Sequence, residues 1–215
     1  MKILLNKVHS PVTVLGYGRR IGIWFQGCNI HCSGCCSLDT WTFDDSKAIE
    51  VEAILDWCKE ISAVGIDGVT ITGGEPFDQP DGLLKLLEGL VSWRETQGVD
   101  LDLLVYSGYT MRNIEKKYSR HLPLIDAIVA GPFLTNRPTE KSYCGSDNQR
   151  RICFTARGRE RYESQDGTMA SGGIQVAIDT EGVWFVGIPR QGDLDRIDEE
   201  CRKRGVILQG TSWRC

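Results

Sequence analysis

A cysteine cluster near the start of the chain most constrains what this sequence can form. Three cysteines are separated by three and then two residues in the segment Cys28-Asn29-Ile30-His31-Cys32-Ser33-Gly34-Cys35. Thiolates at this spacing can wrap one face of a compact metal centre. Ferredoxin clusters use four cysteines, so three local ligands would leave one iron open to a substrate or cofactor.

The spacing alone leaves other interpretations open. Cys36 or His31 could complete a structural zinc site, since short cysteine runs are common zinc ligands. The thiols could also be buried and unconnected. We expect Cys36 to be packed, or to support the ligands from behind, rather than to be a ligand itself, because adjacent side chains diverge. We expect His31 to face solvent. Cys144 and Cys153 flank a later loop, and we expect them to be ordinary thiols.

A second motif follows a short β-branched run at 68–72. It reads Thr70-Ile71-Thr72-Gly73-Gly74-Glu75-Pro76, with two glycines and a carboxylate directly after a predicted strand. Glycines let a ligand approach the backbone closely, and loops of this kind commonly carry function. Taken alone, the same residues are equally typical of a tight turn with a solvated glutamate.

The apolar pattern alternates between strand-sized and helix-sized segments. Strands are predicted at 21–25, 68–72, 101–106 and 125–130, and helices at 46–63, 80–93 and 111–118. This order predicts parallel strands with right-handed crossovers in an α/β fold. In such folds, ligands bind outside the carboxyl ends of the strands, where the cysteine cluster and the two glycines fall.

The alternation of strand-sized and helix-sized apolar segments ends after residue 131. Residues 137–151 are polar and loop-like, and two β-prone runs at 174–178 and 183–186 predict a hairpin. A helix is predicted at 192–204 and a last short strand at 206–208. We expect one domain over residues 1–215, with a core at about 14–155 and a C-terminal extension at about 156–215.

Composition narrows the classes of partner. The 215 residues have a formal net charge of −4, and 41 % are hydrophobic. An acidic balance argues against a nucleic-acid partner, because binding a phosphate backbone needs a basic face. No apolar run approaches the length of a membrane span, and the first residues lack the apolar core of a signal peptide. We therefore expect a cytoplasmic protein without a membrane partner.

Together, the cysteine cluster after the first strand and the Gly-Gly-Glu-Pro segment after the next resemble the radical S-adenosylmethionine (SAM) superfamily. Within it, the chain is most similar to the activating enzymes of anaerobic ribonucleotide reductase. That closer resemblance rests on stretches that occur in family order: 26–28 with 32–35, Trp41, 72–76, 106–110, 126–133 and 145–150.

The resemblance implies a fold, two cofactors and a set of site residues. The fold would be a partial (β/α) barrel of the radical-SAM type with a C-terminal hairpin and helix. Cys28, Cys32 and Cys35 would bind three irons of a [4Fe–4S] cluster, and SAM would bind the fourth. The residues expected to bind SAM are Thr72, Gly73, Gly74, Glu75, Ser107, Asn148, Gln149 and Arg150.

The resemblance also implies an activity. The enzyme would cleave SAM reductively to a 5′-deoxyadenosyl radical, with electrons from a donor such as flavodoxin or ferredoxin. The leading hypothesis is an activase that installs a glycyl radical on a partner enzyme such as anaerobic ribonucleotide reductase. The second is a radical-SAM enzyme acting on a small molecule or peptide in a biosynthetic pathway. The third is a non-enzymatic zinc or redox protein.

Overall fold

The computed structural model describes residues 1–163, 173–178 and 182–213, and these form a mixed α/β fold around one seven-stranded sheet and one two-stranded sheet. The strands are β1 (Lys2–Val12), β2 (Arg20–Phe25), β3 (Ala48–Glu50), β4 (Gly68–Gly73), β5 (Asp102–Ser107), β6 (Ala127–Ala130), β7 (Arg150–Cys153), β8 (Ile174–Ile178) and β9 (Val183–Gly187). The helices are α1 (Val51–Ile61), α2 (Pro80–Gln97), α3 (Met111–Lys117), α4 (Ala156–Tyr162) and α5 (Asp193–Lys203).

The centre of the large sheet consists of four parallel strands in the order β2-β4-β5-β6. These are the four strands predicted from the sequence, with bounds shifted by two residues at most. Each is almost wholly buried, which is typical of parallel strands covered on both faces. Their carboxyl ends lie at one edge of the sheet and carry the cysteine loop, the Gly-Gly-Glu segment and Ser107.

The sheet is open, and its edges are antiparallel. Its order is β3-β1-β2-β4-β5-β6-β7, with β1 and β7 antiparallel to their neighbours β2 and β6. The edge strands β3 and β7 are at opposite ends and do not pair, so the described part of the chain does not form a closed barrel. The predicted partial (β/α) barrel is thus confirmed only as a mixed α/β fold with an open, parallel-rich sheet.

Two local predictions are wrong. The helix expected over 46–63 begins only at Val51, because Ala48–Glu50 pairs with Lys2–Leu4 as an antiparallel edge strand. The strand expected at 206–208 is not formed, because no strand lies alongside these residues to pair with them within the part of the chain described. The hairpin prediction holds for β8 and β9, whereas its turn at 179–181 lies outside the described residues.

One face of the sheet is covered by α1 and α2. The inward side of α2 presents Leu83, Leu86, Leu87 and Leu90, which are completely buried against the apolar side chains of the central strands. The helix continues to Gln97 and ends at Gly98, which adopts the left-handed conformation that favours glycine. The main hydrophobic core therefore lies between these helices and the sheet, and the opposite face of the sheet is free of α1 and α2.

The opposite face is covered by the C-terminal residues. Val186 on β9 packs with Val12 and Leu15, and Ile188 packs beside Tyr162. Beyond α5, residues 206–213, here called the C-terminal strap, return to the cysteine loop. No helix among the described residues is long and apolar enough to cross a membrane.

Candidate metal and cofactor site

The cysteine loop leaves the end of β2 and is closed on itself by its backbone. Gly27 N–H donates to the Thr40 carbonyl at 2.7 Å, and Cys28 N–H donates to the Trp41 carbonyl at 3.0 Å. Gly27 has a φ of +97°, which disfavours any residue with a side chain. The loop is therefore a constrained structure that brings its three cysteines to one side.

Backbone amides lie near all three predicted ligand sulfurs. The amides of Ile30 and His31 act to lower the pKa of Cys28, and the Phe133 amide acts to lower the pKa of Cys32. Cys35 Sγ accepts from the Ser37 amide at 3.4 Å. Such bonds favour sulfur that carries negative charge, as it does when bound to metal. Burial nevertheless raises the pKa of Cys28 and of Cys32, so the thiols are protonated without a metal.

The donor set fits an iron–sulfur cluster. Three soft thiol ligands lie in one loop, each with an amide to stabilise its charge. No three His, Cys, Asp or Glu side chains within the described ranges converge closely enough to hold one ion. A cubane cluster does not need such convergence, because its irons and sulfides lie between the thiolates.

The two other candidate ligands in this loop have different positions. His31 is exposed, and its ring stacks on Trp41 with the ring centroids 4.5 Å apart. Burial raises the pKa of Cys36 to about 11, so its thiol stays protonated. The prediction that His31 faces solvent is therefore confirmed, whereas the role of Cys36 stays a prediction.

The Gly-Gly-Glu segment is bonded directly to the cysteine loop. Gly74 N–H donates to the Phe25 carbonyl at 2.8 Å, and Glu75 N–H donates to the Gly27 carbonyl at 2.9 Å. A Cβ on Gly74 would lie 2.1 Å from Gly27 O, and one on Gly73 would lie 2.4 Å from Phe25 N. Both glycines are thus needed because the two motifs approach each other backbone to backbone.

The carboxylate of Glu75 is buried and accepts three hydrogen bonds from within the protein. Oε1 accepts from the Phe77 amide at 3.0 Å and from Ser107 Oγ at 2.9 Å, and Oε2 accepts from the Gly108 amide at 2.8 Å. Burial raises the pKa of Glu75 to about 7, against the opposing effect of these donors. Glu75 therefore ties the end of β4 to the end of β5 and orients Ser107.

Sequence reasoning missed a second link across the same edge. Asp78 Oδ2 accepts from the Asn29 amide at 2.7 Å, and Asp78 Oδ1 accepts from the Tyr109 hydroxyl at 2.6 Å. This carboxylate connects the cysteine loop to the loop after β5. The only sequence signal was an acidic residue shortly after the Gly-Gly-Glu segment.

The Asn148–Arg150 segment is divided by the structure. Gln149 lines the cleft, where its Oε1 accepts from the Gly145 amide at 2.7 Å and its Nε2 donates to Gly131 O at 3.0 Å. Asn148 donates to Pro132 O, and its own Oδ1 is buried without a hydrogen-bond partner among the described residues. Arg150 is exposed on β7, and neither it nor Asn148 is among the lining residues.

A cleft of about 1190 Å³ opens over these residues. One side consists of the predicted site residues from the sheet edge: Cys28, Cys32, Cys35, Thr72, Gly73, Gly74, Glu75 and Ser107. The other side consists of residues 182–192 and the C-terminal strap. The structure therefore brings eight of the predicted site residues, together with Gln149, to one cleft, as parallel strand ends require.

Comparison with known proteins gives the family. A model for a 4Fe-4S single cluster domain matches residues 14–152. The anaerobic ribonucleoside-triphosphate reductase-activating protein of Enterobacteria phage T4 is 31% identical over 145 residues, which are 67% of this chain and 90% of that protein. The chain belongs to this radical-SAM family. The sequence-based prediction of a radical-SAM enzyme of the activating type is confirmed at that level.

Two partial matches extend the comparison. The pyruvate formate-lyase-activating enzyme of Clostridium pasteurianum is 32% identical over 87 residues, covering 39% of this radical-SAM chain and 37% of that enzyme. The 7-carboxy-7-deazaguanine synthase of Rickettsia prowazekii is 42% identical over 88 residues, covering 35% of this chain and 36% of that protein. The family match ends at residue 152, so the C-terminal wall of the cleft lies beyond it.

Proposed function

We propose that this protein binds one [4Fe–4S] cluster and SAM in the cleft and uses the resulting radical to activate a partner enzyme by forming a glycyl radical. The observation that carries this proposal is the direct bonding of the two motifs. The Gly74 and Glu75 amides donate to Phe25 O and Gly27 O, so the cysteine loop and the Gly-Gly-Glu segment form one unit. A cofactor held by one motif must therefore lie beside the other.

The proposed roles follow from the contacts. Cys28, Cys32 and Cys35 hold the cluster, and their amide partners stabilise the thiolate charge. When bound, the cluster supplies the electron that cleaves the sulfonium group of SAM. The electron comes from a donor of the flavodoxin or ferredoxin type.

The residues expected to bind SAM divide into two groups. Thr72, Gly73 and Gly74 line the cleft with backbone that a ligand can approach, and Glu75 places a buried carboxylate behind them. An ammonium group near Glu75 would favour its ionised form and lower its pKa from about 7. Ser107, held by Glu75, is the proposed contact for the carboxylate or ribose of SAM.

Residues 148–150, which follow β6, have a smaller proposed role in SAM binding. Asn148 donates to Pro132 O and does not line the cleft, so its proposed part is to position the loop after β6 rather than to contact SAM. Gln149 holds the loop that carries it. We propose no direct SAM contact for Arg150, because its side chain is exposed and away from the lining.

A partner enzyme with a glycyl radical is the proposed target because the ribonucleotide reductase-activating protein of phage T4 is matched over 90% of its own length. A second candidate is hydrogen abstraction from a small molecule or peptide. It is favoured by residues 182–192 and the C-terminal strap, which line the cleft and leave less room for a bulky partner loop. The family match does not include these residues.

The cluster assignment is tested by anaerobic reconstitution of matched cysteine variants. Cys32→Ala is expected to lose most of its iron, from about four atoms per chain, and all 5′-deoxyadenosine formation from SAM with a chemical reductant. Cys36→Ala is the matched control and is expected to keep both. Equal iron retention and cleavage in the two variants would refute the ligand assignment.

The target is tested with the wild-type holoprotein. We expect a glycine-centred radical signal by electron paramagnetic resonance when a glycyl-radical enzyme, SAM and reductant are present. Deuterium placed at that glycine is expected to reach 5′-deoxyadenosine. Transfer of deuterium from a small metabolite or free peptide, with no radical on any partner enzyme, would favour the second candidate instead.

A further inference from the structure

Asp78 lies where the two motifs of the site meet the loop after β5. It ends the short turn Pro76–Asp78, which directly follows Glu75, and its own amide donates to the Glu75 carbonyl at 3.0 Å. The Asp78 side chain is half-buried and lies between two donors from other parts of the chain. Neither the proposed cluster ligands nor the proposed SAM contacts include this residue.

One oxygen of Asp78 anchors the cysteine loop. Oδ2 accepts from the Asn29 amide at 2.7 Å, and Asn29 directly follows the proposed ligand Cys28. Hydrogen bonds to a charged acceptor are roughly twice as strong as neutral ones. The amides of Gly27 and Cys28 are held by the Thr40 and Trp41 carbonyls, so the bond to Asp78 fixes the next residue of the loop.

The other oxygen of Asp78 is fixed by Tyr109. The Tyr109 hydroxyl donates to Asp78 Oδ1 at 2.6 Å, and the Tyr109 amide donates to Ser107 Oγ at 3.1 Å. The ring of Tyr109 packs near Tyr118, with the ring centroids 6.4 Å apart, against the main hydrophobic core. The carboxylate is therefore oriented by a group that lies outside the cysteine loop.

Asp78 also places a negative charge close to a ligand sulfur. Because Asn29 is the residue immediately after Cys28, bond lengths keep the Asp78 carboxylate within about 8 Å of the Cys28 sulfur. Salt screens charges only weakly over such a distance. Reduction of an iron–sulfur cluster adds one electron and raises the negative charge at the site, and local charge helps to set the potential. A carboxylate here opposes that reduction.

We propose that Asp78 is a positioning residue that fixes the cysteine loop around the cluster and keeps the reduction potential of the bound cluster low. The inference rests on the proposed function, because it concerns the cluster of the same site. Tyr109 supports this role by orienting the carboxylate. A low potential means that the site accepts an electron only from a strongly reducing one-electron donor.

The effect of the charge is tested on the anaerobically reconstituted holoprotein without SAM. The midpoint potential of the cluster is measured by redox titration followed by electron paramagnetic resonance. Asp78→Asn keeps the shape of the side chain but removes its charge, so we expect a shift to higher potential. Asp81→Asn is the matched control, because Asp81 is exposed in the first turn of α2, and we expect the wild-type potential.

The anchoring of the loop is tested on the apoprotein, so this measurement needs no cluster. Hydrogen exchange of the Asn29 amide is followed by nuclear magnetic resonance. In Asp78→Ala the amide loses its acceptor, and we expect exchange to be about 13- to 160-fold faster, which corresponds to the loss of one hydrogen bond to a charged group. Asp81→Ala is the matched control and is expected to exchange at the wild-type rate.

Two results would overturn the inference. One is an equal potential in Asp78→Asn and Asp81→Asn, and the other is an equal exchange rate of the Asn29 amide in Asp78→Ala and Asp81→Ala. If Asp78→Asn assembles no cluster, the exchange measurement alone decides whether Asp78 anchors the loop.

The same preparations separate this inference from the proposed function. Cleavage of SAM by the wild-type protein, with equal potentials in the two asparagine variants, removes the role of Asp78 but leaves the radical chemistry intact. The expected potentials and exchange rates, without any cleavage of SAM, support the role of Asp78 and remove the proposed function.

Discussion

A buried ionic network at the amino ends of the parallel strands allows a sharp test of what holds the sheet together. Asp102 Oδ1 accepts from Nη1 of both Arg20 and Arg161 at 2.9 Å. Its Oδ2 accepts from Arg20 Nη2 at 2.8 Å and from the Tyr162 hydroxyl at 2.8 Å. Both side chains of the Arg20–Asp102 pair are completely buried. One carboxylate thus compensates two guanidinium groups.

Replacing Asp102 by Asn keeps the shape of the side chain but removes the charge. The Arg20 guanidinium would then be buried without a counter-ion, and breaking a buried pair in this way costs about 3–5 kcal/mol. Asp100→Asn is the matched control, because Asp100 also pairs with Arg161 but its side chain is 78% exposed. Exposed pairs contribute about 0–1 kcal/mol.

The measurement is the free energy of unfolding from urea titrations followed by circular dichroism. We expect Asp102→Asn to lower the free energy of unfolding by about 3 kcal/mol more than Asp100→Asn, as the two ranges imply. Equal losses in the two variants, or a loss below about 1 kcal/mol for Asp102→Asn, would refute the network's role in stability.

The pH dependence gives a second readout of the same network. Despite burial, the two guanidinium groups and the Tyr162 hydroxyl hold the pKa of Asp102 below its usual 3.8. A depressed folded-state pKa stabilises the fold above the unfolded-state value, and this stability is lost as the pH falls through the folded-state value. The advantage of wild type over Asp102→Asn is therefore expected to be full at pH 7 and to shrink below about pH 4. A constant difference down to pH 2 would contradict the assignment.

Three further predictions concern the cleft. Gly74→Ala is expected to destabilise the fold by about 1–3 kcal/mol in thermal unfolding and to lower the iron content, because its Cβ would collide with Gly27 O. Gly98→Ala is the control: it adds a Cβ in open space and is expected to cost about 1 kcal/mol. Ser107→Ala is expected to weaken SAM binding by about 2- to 13-fold in dialysis, since it removes a hydroxyl held at 2.9 Å from Glu75. Ending the chain at residue 205 is expected to speed iron loss to a chelator, because Leu38 loses its partner in the strap; an unchanged rate would contradict that role.

The position of the site could be predicted because parallel strand ends share an edge. The cysteine triplet follows β2 and the Gly-Gly-Glu segment follows β4, and these strands are direct neighbours in register, with Phe25 opposite Gly73. Periodicity and glycine positions were enough to infer this adjacency. The edge strand Ala48–Glu50 could not be inferred in the same way, because its extended form depends on pairing with β1.

The role of the Gly-Gly-Glu segment in the structure was less predictable. The sequence suggested that Gly73 and Gly74 make room for a ligand, whereas the structure shows that they first make room for the backbone of the cysteine loop. Glu75 likewise bonds to Ser107 and Gly108, more than 30 residues away. Such pairings arise only when the strands are assembled, so no local pattern reveals them.

The C-terminal residues bear on which substrate the proposed enzyme could accept. The family match ends at residue 152, yet residues 182–192 and the strap also line the cleft. The matched core supports the proposed radical chemistry, whereas these later residues add a lining of their own. Because Ser212 joins the wall to the cysteine loop, a substrate that displaced the strap would also disturb the loop. A substrate of the proposed enzyme must therefore either leave the strap in place or open it, and open it reversibly if the cluster is to survive repeated turnover.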